Sequence, residues 1–477
     1  MGDIICGDTE FNGRKYKFDY RNNVLVLIPE VLEKFIKWRF EHLEVKERND
    51  YINIEGTTNN GYYICFIHVK FSEIGSGALQ AFVPSYAICK ANGISPVPKL
   101  ENIEKITLLG DCLDKFYYPK RIIDFKDIFT PKIRFELDKE NNKLRKFSIN
   151  KDIYSFGIRW NIPHSSNINQ VLDVYSYLDV KFNEKKDINQ IIDYYLNIKK
   201  FFSFINNRKY IKFEKIFAYK KELIDYGIGE EKNVQETTIK FELYFVDPDE
   251  EFDIDKSLNA VRLEDIEDEF TKLYKKVTNK EFLTQYYPLS KKDDRYINNE
   301  KFANVASAFE SEFNKLFPKY KSDVCEEYKK VKKLILKTIS NKKGNSNRLI
   351  EGNENKEEIK YLKNVIKQCN YFSKIINKIE GTLEEKIIYS YGRYSYVINK
   401  ARQNLMRNYN INRLKNGVLA SKFTKRRNDI AHGNYTEKFN ETEIIAYELI
   451  RICIYSLTFE RCGFSNEKIK AIVDKIF

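Results

Sequence analysis

No part of this chain stays apolar for long. The richest runs, such as Tyr62 to Val69, stop far short of the roughly 20 residues a membrane helix needs, so no membrane span is expected. The first residues carry acids at Asp3 and Asp8 and lack the basic-then-apolar order of a signal peptide. The eight cysteines (Cys6, Cys65, Cys89, Cys112, Cys325, Cys369, Cys453 and Cys462) are dispersed with no CxxC spacing. That pattern argues against a zinc site or a disulfide framework and for buried, reduced thiols. These absences point to a soluble, cytoplasmic protein for which no metal and no cofactor is expected.

What is present starts with size. At 477 residues the chain exceeds one comfortable core, and 42% hydrophobic residues exclude disorder as its main state. The net charge of +13 favours phosphate-rich partners. A compositional bias toward Lys, Asn, Ile, Tyr and Phe explains part of that excess, so where the charge lies matters more than its sum.

Two periodicities divide the chain. The first half reads as strands: Val24 to Ile28 ended by Pro29, alternation at Ile52 and Ile54, an Asn60-Gly61 turn, then Tyr62 to Phe71. A further alternating run covers Thr237 to Val246, with helical stretches at Ile188 to Phe204 and Leu263 to Val277. From about residue 298 the period becomes helical, with Phe302, Val305, Ala306, Phe309, Phe313 and Leu316 at three- and four-residue steps. A second helix is expected over about 320–340. The polar stretch Asn341 to Glu358 reads as an exposed loop, and Ile359 to Ile379 as the next helix. Gly381 should end that helix, and Thr382 with Glu385 forms a capping box for another. The last long helix should span about 441–462. The expected class is α+β and multidomain: a β-rich domain with helical insertions over 1–290, and an all-α bundle of six or seven helices over 296–477.

Acids account for 69 of the 477 residues, yet none lies between Glu385 and Asp429. That gap holds Lys386, Arg393, Lys400, Arg402, Arg407, Arg413, Lys415, Lys422, Lys425, Arg426 and Arg427, with Tyr389, Tyr391, Tyr394, Tyr396 and Tyr409 among them. Cations interleaved with rings suit single-stranded nucleic acid, where charge tracks phosphates and rings stack on bases. Packed tyrosines under a solvated basic face are the other reading. Lys422, Lys425, Arg426, Arg413 and Lys415 are the candidate RNA-binding residues.

The basic stretch runs into Lys425-Arg426-Arg427-Asn428-Asp429-Ile430-Ala431-His432-Gly433. His432 is one of four histidines, with His42, His68 and His164. Cutting RNA without a metal needs an acceptor for the 2′-hydroxyl proton and a cation for the charged phosphorane. Imidazole suits the first task and the planar guanidinium the second. On a helix, Arg427 and His432 would sit about 7.5 Å apart along the axis and roughly 140° apart around it. Asn428 and His432, four apart, would share a face and could hydrogen-bond, fixing the imidazole tautomer.

The segment Arg427-x4-His432, with polar Asn428 after the Arg, resembles the signature of the HEPN superfamily. The Thr382-Leu383-Glu384-Glu385-Lys386 helix start and the Ala308-Phe309-Glu310 segment look like the ApeA-type branch, and the layout of the first half is similar to the ApeA N-terminal domain. The resemblance implies a C-terminal HEPN bundle that dimerises, or assembles further, so that two Arg/His pairs share a cleft. It further implies metal-independent endoribonuclease activity leaving 2′,3′-cyclic phosphate and 5′-hydroxyl ends, and a toxin-like role in anti-phage defence through abortive infection. A sensing or regulatory N-terminal domain would answer a phage-derived trigger, and transfer RNA is a candidate substrate. Carried over, His432 is the acid/base, Arg427 the phosphate clamp and Asn428 their polar companion. Glu310 matches a recurrent acidic position, either orienting the motif or forming a structural salt bridge.

Two other functions remain in view. A non-catalytic RNA-, nucleotide- or protein-binding scaffold would share the fold without needing the imidazole. A metal nuclease could be built on Asp247, Asp249, Glu250, Glu251, Asp253 and Asp255, although that spacing lacks the Gly and terminal Glu of a calcium loop. The same acidic loop could instead lie over the basic cleft and restrain it.

Overall fold

The computed structural model describes residues 4–30, 51–74, 78–90, 99–118, 121–124, 134–137, 143–161, 173–225, 234–246, 261–289, 291–294, 296–320, 326–378, 382–435 and 438–477. The acidic run 247–255, Gly381, Cys325, His42 and His164 lie outside these residues. Two compact units are present: one runs to Lys280 and includes Tyr287–Lys291, the other comprises Glu281–Tyr286 and Lys292–Lys475. The first is β-rich and the second helical. No described helix is long and apolar enough to cross a membrane.

The first unit begins with a closed barrel. Strands β1 (Ile5–Phe11), β2 (Arg14–Arg21), β3 (Val24–Pro29), β4 (Ile52–Thr58), β5 (Tyr62–Ile74) and β6 (Leu79–Phe82) pair antiparallel in the order β4-β1-β2-β3-β6. Strand β5 closes the ring by pairing with β4 through Tyr63–Val69 and with β6 through Lys70–Ile74. Alternate residues fill its interior, among them Tyr16, Phe18, Leu25, Leu27, Ile54, Phe66, Val69 and Leu79. The hairpin turns are made by Asn12-Gly13 and Asn22-Asn23, all at positive φ, as a right-twisted two-residue turn requires. Where β1 meets β4 the backbones approach closely, and a Cβ on Gly7 would stand 2.1 Å from the Thr57 carbonyl oxygen. The strands at 24–28, 52–58 and 62–71 follow the sequence pattern. Closure does not show in that pattern, because it depends on one strand serving two partners.

Beyond the barrel, β5 also pairs with β7 (Ser85–Lys90), which carries the sheet onward. It continues through β15 (Val234–Phe245), β14 (Lys215–Asp225), β8 (Ile103–Leu109), β13 (Asp173–Lys186), β12 (Asp152–Asn161) and β11 (Arg145–Ile149). Two short strands, β9 (Arg121–Asp124) and β10 (Arg134–Leu137), form a separate pair. One face of the large sheet buries Ile106, Leu108, Phe156, Leu178, Ile216, Ala218, Phe241 and Leu243. The helices α1 (Asp111–Phe116), α2 (Ile188–Asn206), α3 (Leu263–Ile266) and α4 (Phe270–Val277) belong to this unit. Phe116, Phe201 and Phe270 from these helices meet Phe156 of the sheet or one another at 5.3–6.0 Å, mostly edge to face.

A short helix, α5 (Lys291–Asp294), precedes the long helices of the second unit. These are α6 (Asn299–Leu316), α7 (Glu326–Glu351), α8 (Lys356–Lys378), α9 (Leu383–Arg393), α10 (Ser395–Asn408), α11 (Asn416–Ala431), α12 (Glu441–Cys462) and α13 (Asn466–Ile476). The Thr382/Glu385 capping box opens α9, an Asn440/Glu443 box opens α12, and Gly463 at positive φ closes it. One expectation is corrected: Asn341 to Glu358 is not a loop. Helix α7 continues to Glu351, and only 352–355 separate it from α8. Polarity there reports exposure rather than a break, since Lys, Asn, Ser and Arg each cost a helix less than about 1 kcal/mol. Among the described residues, eight helices lie from Asn299 onward, against the expected six or seven.

Two glycines test these placements by denaturant unfolding. Gly344→Ala, in α7 with open space around it, should stabilise the second unit by about 0.5–1 kcal/mol. Gly7→Ala should destabilise the first by about 1–3 kcal/mol, because backbone rather than a movable side chain blocks the methyl.

Candidate active site and nucleic-acid interface

Helix α11 positions the motif. It packs on α6, α9 and α12 and buries Leu419, Ala420, Phe423, Arg426 and Ile430. Phe302 of α6 stacks on Phe423 at 4.5 Å, on Phe439 at 5.4 Å and on Tyr447 at 5.8 Å. The opposite stripe of α11 faces solvent: Val418, Ser421, Lys422, Lys425 and Asn428 recur at three- and four-residue steps and lead to exposed His432.

The end of α11 is a Schellman turn. Gly433 N–H bonds the Ile430 carbonyl at 3.0 Å, Asn434 N–H bonds the Asp429 carbonyl at 2.8 Å, and Gly433 takes φ +79°. This is why the sequence needs glycine after His432. It leaves His432 as the C-cap, bonded through its own N–H to the Asn428 carbonyl at 3.0 Å. Its imidazole makes no hydrogen bond to the described residues. His68 differs: its Nε2 lies 2.8 Å from Asn189 Oδ1, and the residue adopts φ +56° within β5. His68 is thus held in place by its neighbours, whereas His432 is presented.

Arg427 leans toward α6. Its guanidinium lies 3.3 Å from a Glu310 carboxylate oxygen and donates to Asn428 Oδ1 at 3.2 Å. The structure therefore brings Arg427, Asn428 and Glu310 together. The bond expected between Asn428 and the His432 imidazole is not made; the Asn428 amide oxygen accepts from Arg427. Both Glu310 and Arg427 stay part-exposed, with side-chain exposures of 29% and 40%, so the pair is screened and weak and the guanidinium is available to a stronger anion.

The candidate RNA-binding residues divide. Arg413, Lys415, Lys422 and Lys425 are exposed and carry no ion pair among the described residues. Arg413 precedes α11, and Lys415 to Lys425 span about 15 Å of its axis from the N-cap. Arg426 is corrected: it is buried, 2.8 Å from Glu443 Oε2, donates to the Lys438 carbonyl at 3.1 Å and lies 4.9 Å over the Phe439 ring. Its place one position before Arg427 rotates it into the core. Lys438 is an exposed cation that the sequence reading missed, since it lies beyond Asp429 and outside the acid-free stretch.

The rest of that stretch is less free than its composition implies, because distant segments supply the missing acids. Arg393 is gripped by Glu460, Lys400 lies 2.7 Å from Asp474, and Arg402 bonds Asn399 and Asn416. Tyr391 and Tyr394 are buried, and Tyr389 packs against Phe313, Phe317 and Tyr320. These three rings belong to the packing and do not form a platform for bases.

Comparison of the chain with models of protein families, with curated proteins and with solved structures returns no match.

Neighbouring residues should separate by role. Arg426→Ala should cost about 3–5 kcal/mol in denaturant unfolding, because it leaves Glu443 buried without its cation. Lys425→Ala, exposed and without an ion pair among the described residues, should leave stability within about 0.5 kcal/mol. Gly433→Ala should cost about 1 kcal/mol through its left-handed backbone.

Proposed function

We propose that this chain is a HEPN-type endoribonuclease of the ApeA-like kind, acting in anti-phage defence by abortive infection. The observation that carries the reading is a presented imidazole: His432 stands at the Schellman end of α11, in line with the unpaired Lys422 and Lys425 and one turn past Arg427.

The chemistry follows from those groups. An RNA strand held by the α11 lysines places a phosphate near the helix end. The His432 imidazole takes the 2′-hydroxyl proton as the 2′ oxygen bonds to phosphorus. The Arg427 guanidinium, kept aimed by Glu310 and Asn428, holds the phosphorane oxygens. A protonated imidazole then supplies a proton to the departing 5′ oxygen, leaving a 2′,3′-cyclic phosphate and a 5′-hydroxyl. Arg427 and His432 lie roughly 140° apart around α11, which favours two copies of the chain contributing to one cleft. The β-rich unit is then the sensing or regulatory part, with a phage component as trigger.

The test incubates the protein with total RNA, with and without EDTA, beside His432→Ala and Arg427→Ala. Cleavage should persist in EDTA and fall about 10²–10⁴-fold in His432→Ala. Activity retained by His432→Ala defeats the proposal, and RNA retention without cleavage in phage-infected extracts favours the scaffold reading. Where the resting protein is silent, the same variants are compared for growth arrest in infected cells.

A further inference from the structure

The sheet of the first unit has a second face. Cross-strand register places Tyr86 and Ile88 of β7, Tyr244, Glu242 and Lys240 of β15, and Phe217 and Tyr219 of β14 on the side opposite its buried aliphatic residues. Lys240 Nζ sits 3.6 Å from the Phe217 ring centroid, and Lys105 Nζ sits 4.3 Å from that of Tyr219. Strand pairing between β7 and β15 stops at Ile88 and Glu242. An open trough of about 700 Å³ lies there, lined by Tyr62, Ile88, Lys90, Phe217, Thr238 and Lys240 among others.

We propose that this trough binds a nucleotide, a base bearing a phosphate, independently of the cleavage site on α11. Its volume falls within the range of about 300–1,000 Å³ usual for small-ligand sites. Lys90 and Lys240 are exposed and carry no ion pair among the described residues, so two cations at the rim are open to a phosphate. Half-buried Tyr62 offers its ring to a base, while the Phe217 ring holds the Lys240 ammonium over its face in the same trough, where the cation can meet a phosphate. The Thr238 hydroxyl and the Glu242 carboxylate, which accepts from Tyr244, supply hydrogen-bonding groups for sugar or base edges. An acidic peptide would use the lysines but leave the Tyr62 ring and these acceptors unused. The site is for binding and not for thiol chemistry, since burial pushes the Cys89 thiol at its floor up to about 12.

A free nucleotide and one unit of an RNA strand share this chemistry, and the experiment separates them. Full-length protein is titrated calorimetrically with each 5′-ribonucleoside monophosphate, and by fluorescence anisotropy with a labelled mixed-sequence ribohexanucleotide. The oligonucleotide arm uses a Lys422→Glu/Lys425→Glu background, so that the α11 cations do not contribute. Lys90→Glu/Lys240→Glu should weaken binding at least fivefold, while Lys17→Glu, exposed on the barrel exterior, should leave it unchanged. Tyr62→Leu keeps apolar volume without the ring and should also weaken binding, which separates stacking from charge. Mononucleotide binding with these losses identifies a free nucleotide as occupant; binding of the hexanucleotide alone identifies an RNA strand. Absence of binding by both probes, or a loss under fivefold in the double variant, overturns the proposal.

Discussion

The helical unit turns on one buried ion pair. Glu443 Oε2 accepts from the Arg426 guanidinium at 2.8 Å and from the Asn440 backbone N–H at 2.9 Å, so one carboxylate joins the interior of α11 to the first turn of α12. The Phe439 ring lies under that guanidinium and stacks on Phe302, which ties α6 into the same cluster. Burying both charges is costly, and the pair is tolerated because the carboxylate keeps a second donor and the guanidinium a carbonyl acceptor. Its consequence is rotational. With Arg426, Phe423 and Leu419 fixed inward, Lys422, Lys425 and Asn428 are fixed outward, and His432 is delivered to solvent at the end of the same helix.

The motif was legible because its logic is local. Gly433 ends a helix, Arg427 and His432 have distinctive chemistry, and their spacing converts directly into helix geometry. Helix boundaries were legible wherever a cap marks them, as at Thr382, Asn440 and Gly463. Three things were not. The extent of α7 was hidden because an exposed helix and an exposed loop draw on the same polar residues. Arg426 could not be told from Arg427 by residue type, since the difference is a rotation of roughly 100° about an axis whose buried side is set by α6 and α12. The barrel was hidden because β5 pairs with β4 along one part and β6 along another, and no local pattern records that division.

Charge shows most clearly how far composition can be trusted. The acid-free stretch before Asp429 looks uniformly cationic, yet Glu460 and Asp474 return from α12 and α13 to neutralise Arg393 and Lys400. What remains without a side-chain acceptor among the described residues is narrower: Arg407 near the end of α10, Arg413 and Lys415 just before α11, and Lys422 and Lys425 on α11 itself. The sheet of the first unit holds the reverse arrangement. There no basic run is visible in sequence, and Lys90 and Lys240 meet at one trough only because β7 and β15 are neighbours.

The central claim is that the His432 imidazole accepts the proton of an RNA 2′-hydroxyl, and the ends of the fragments record that step. RNA cut by the protein is treated with a phosphatase that removes 3′-monophosphates but not cyclic phosphates, before and after mild acid opening of any cyclic ends. Ends that resist the phosphatase until acid opening, with 5′ termini accepting label from a kinase directly, are the predicted result. Fragments ending in a 3′-hydroxyl and a 5′-phosphate would contradict the account, because they require attack by water or another nucleophile in which the 2′ oxygen takes no part.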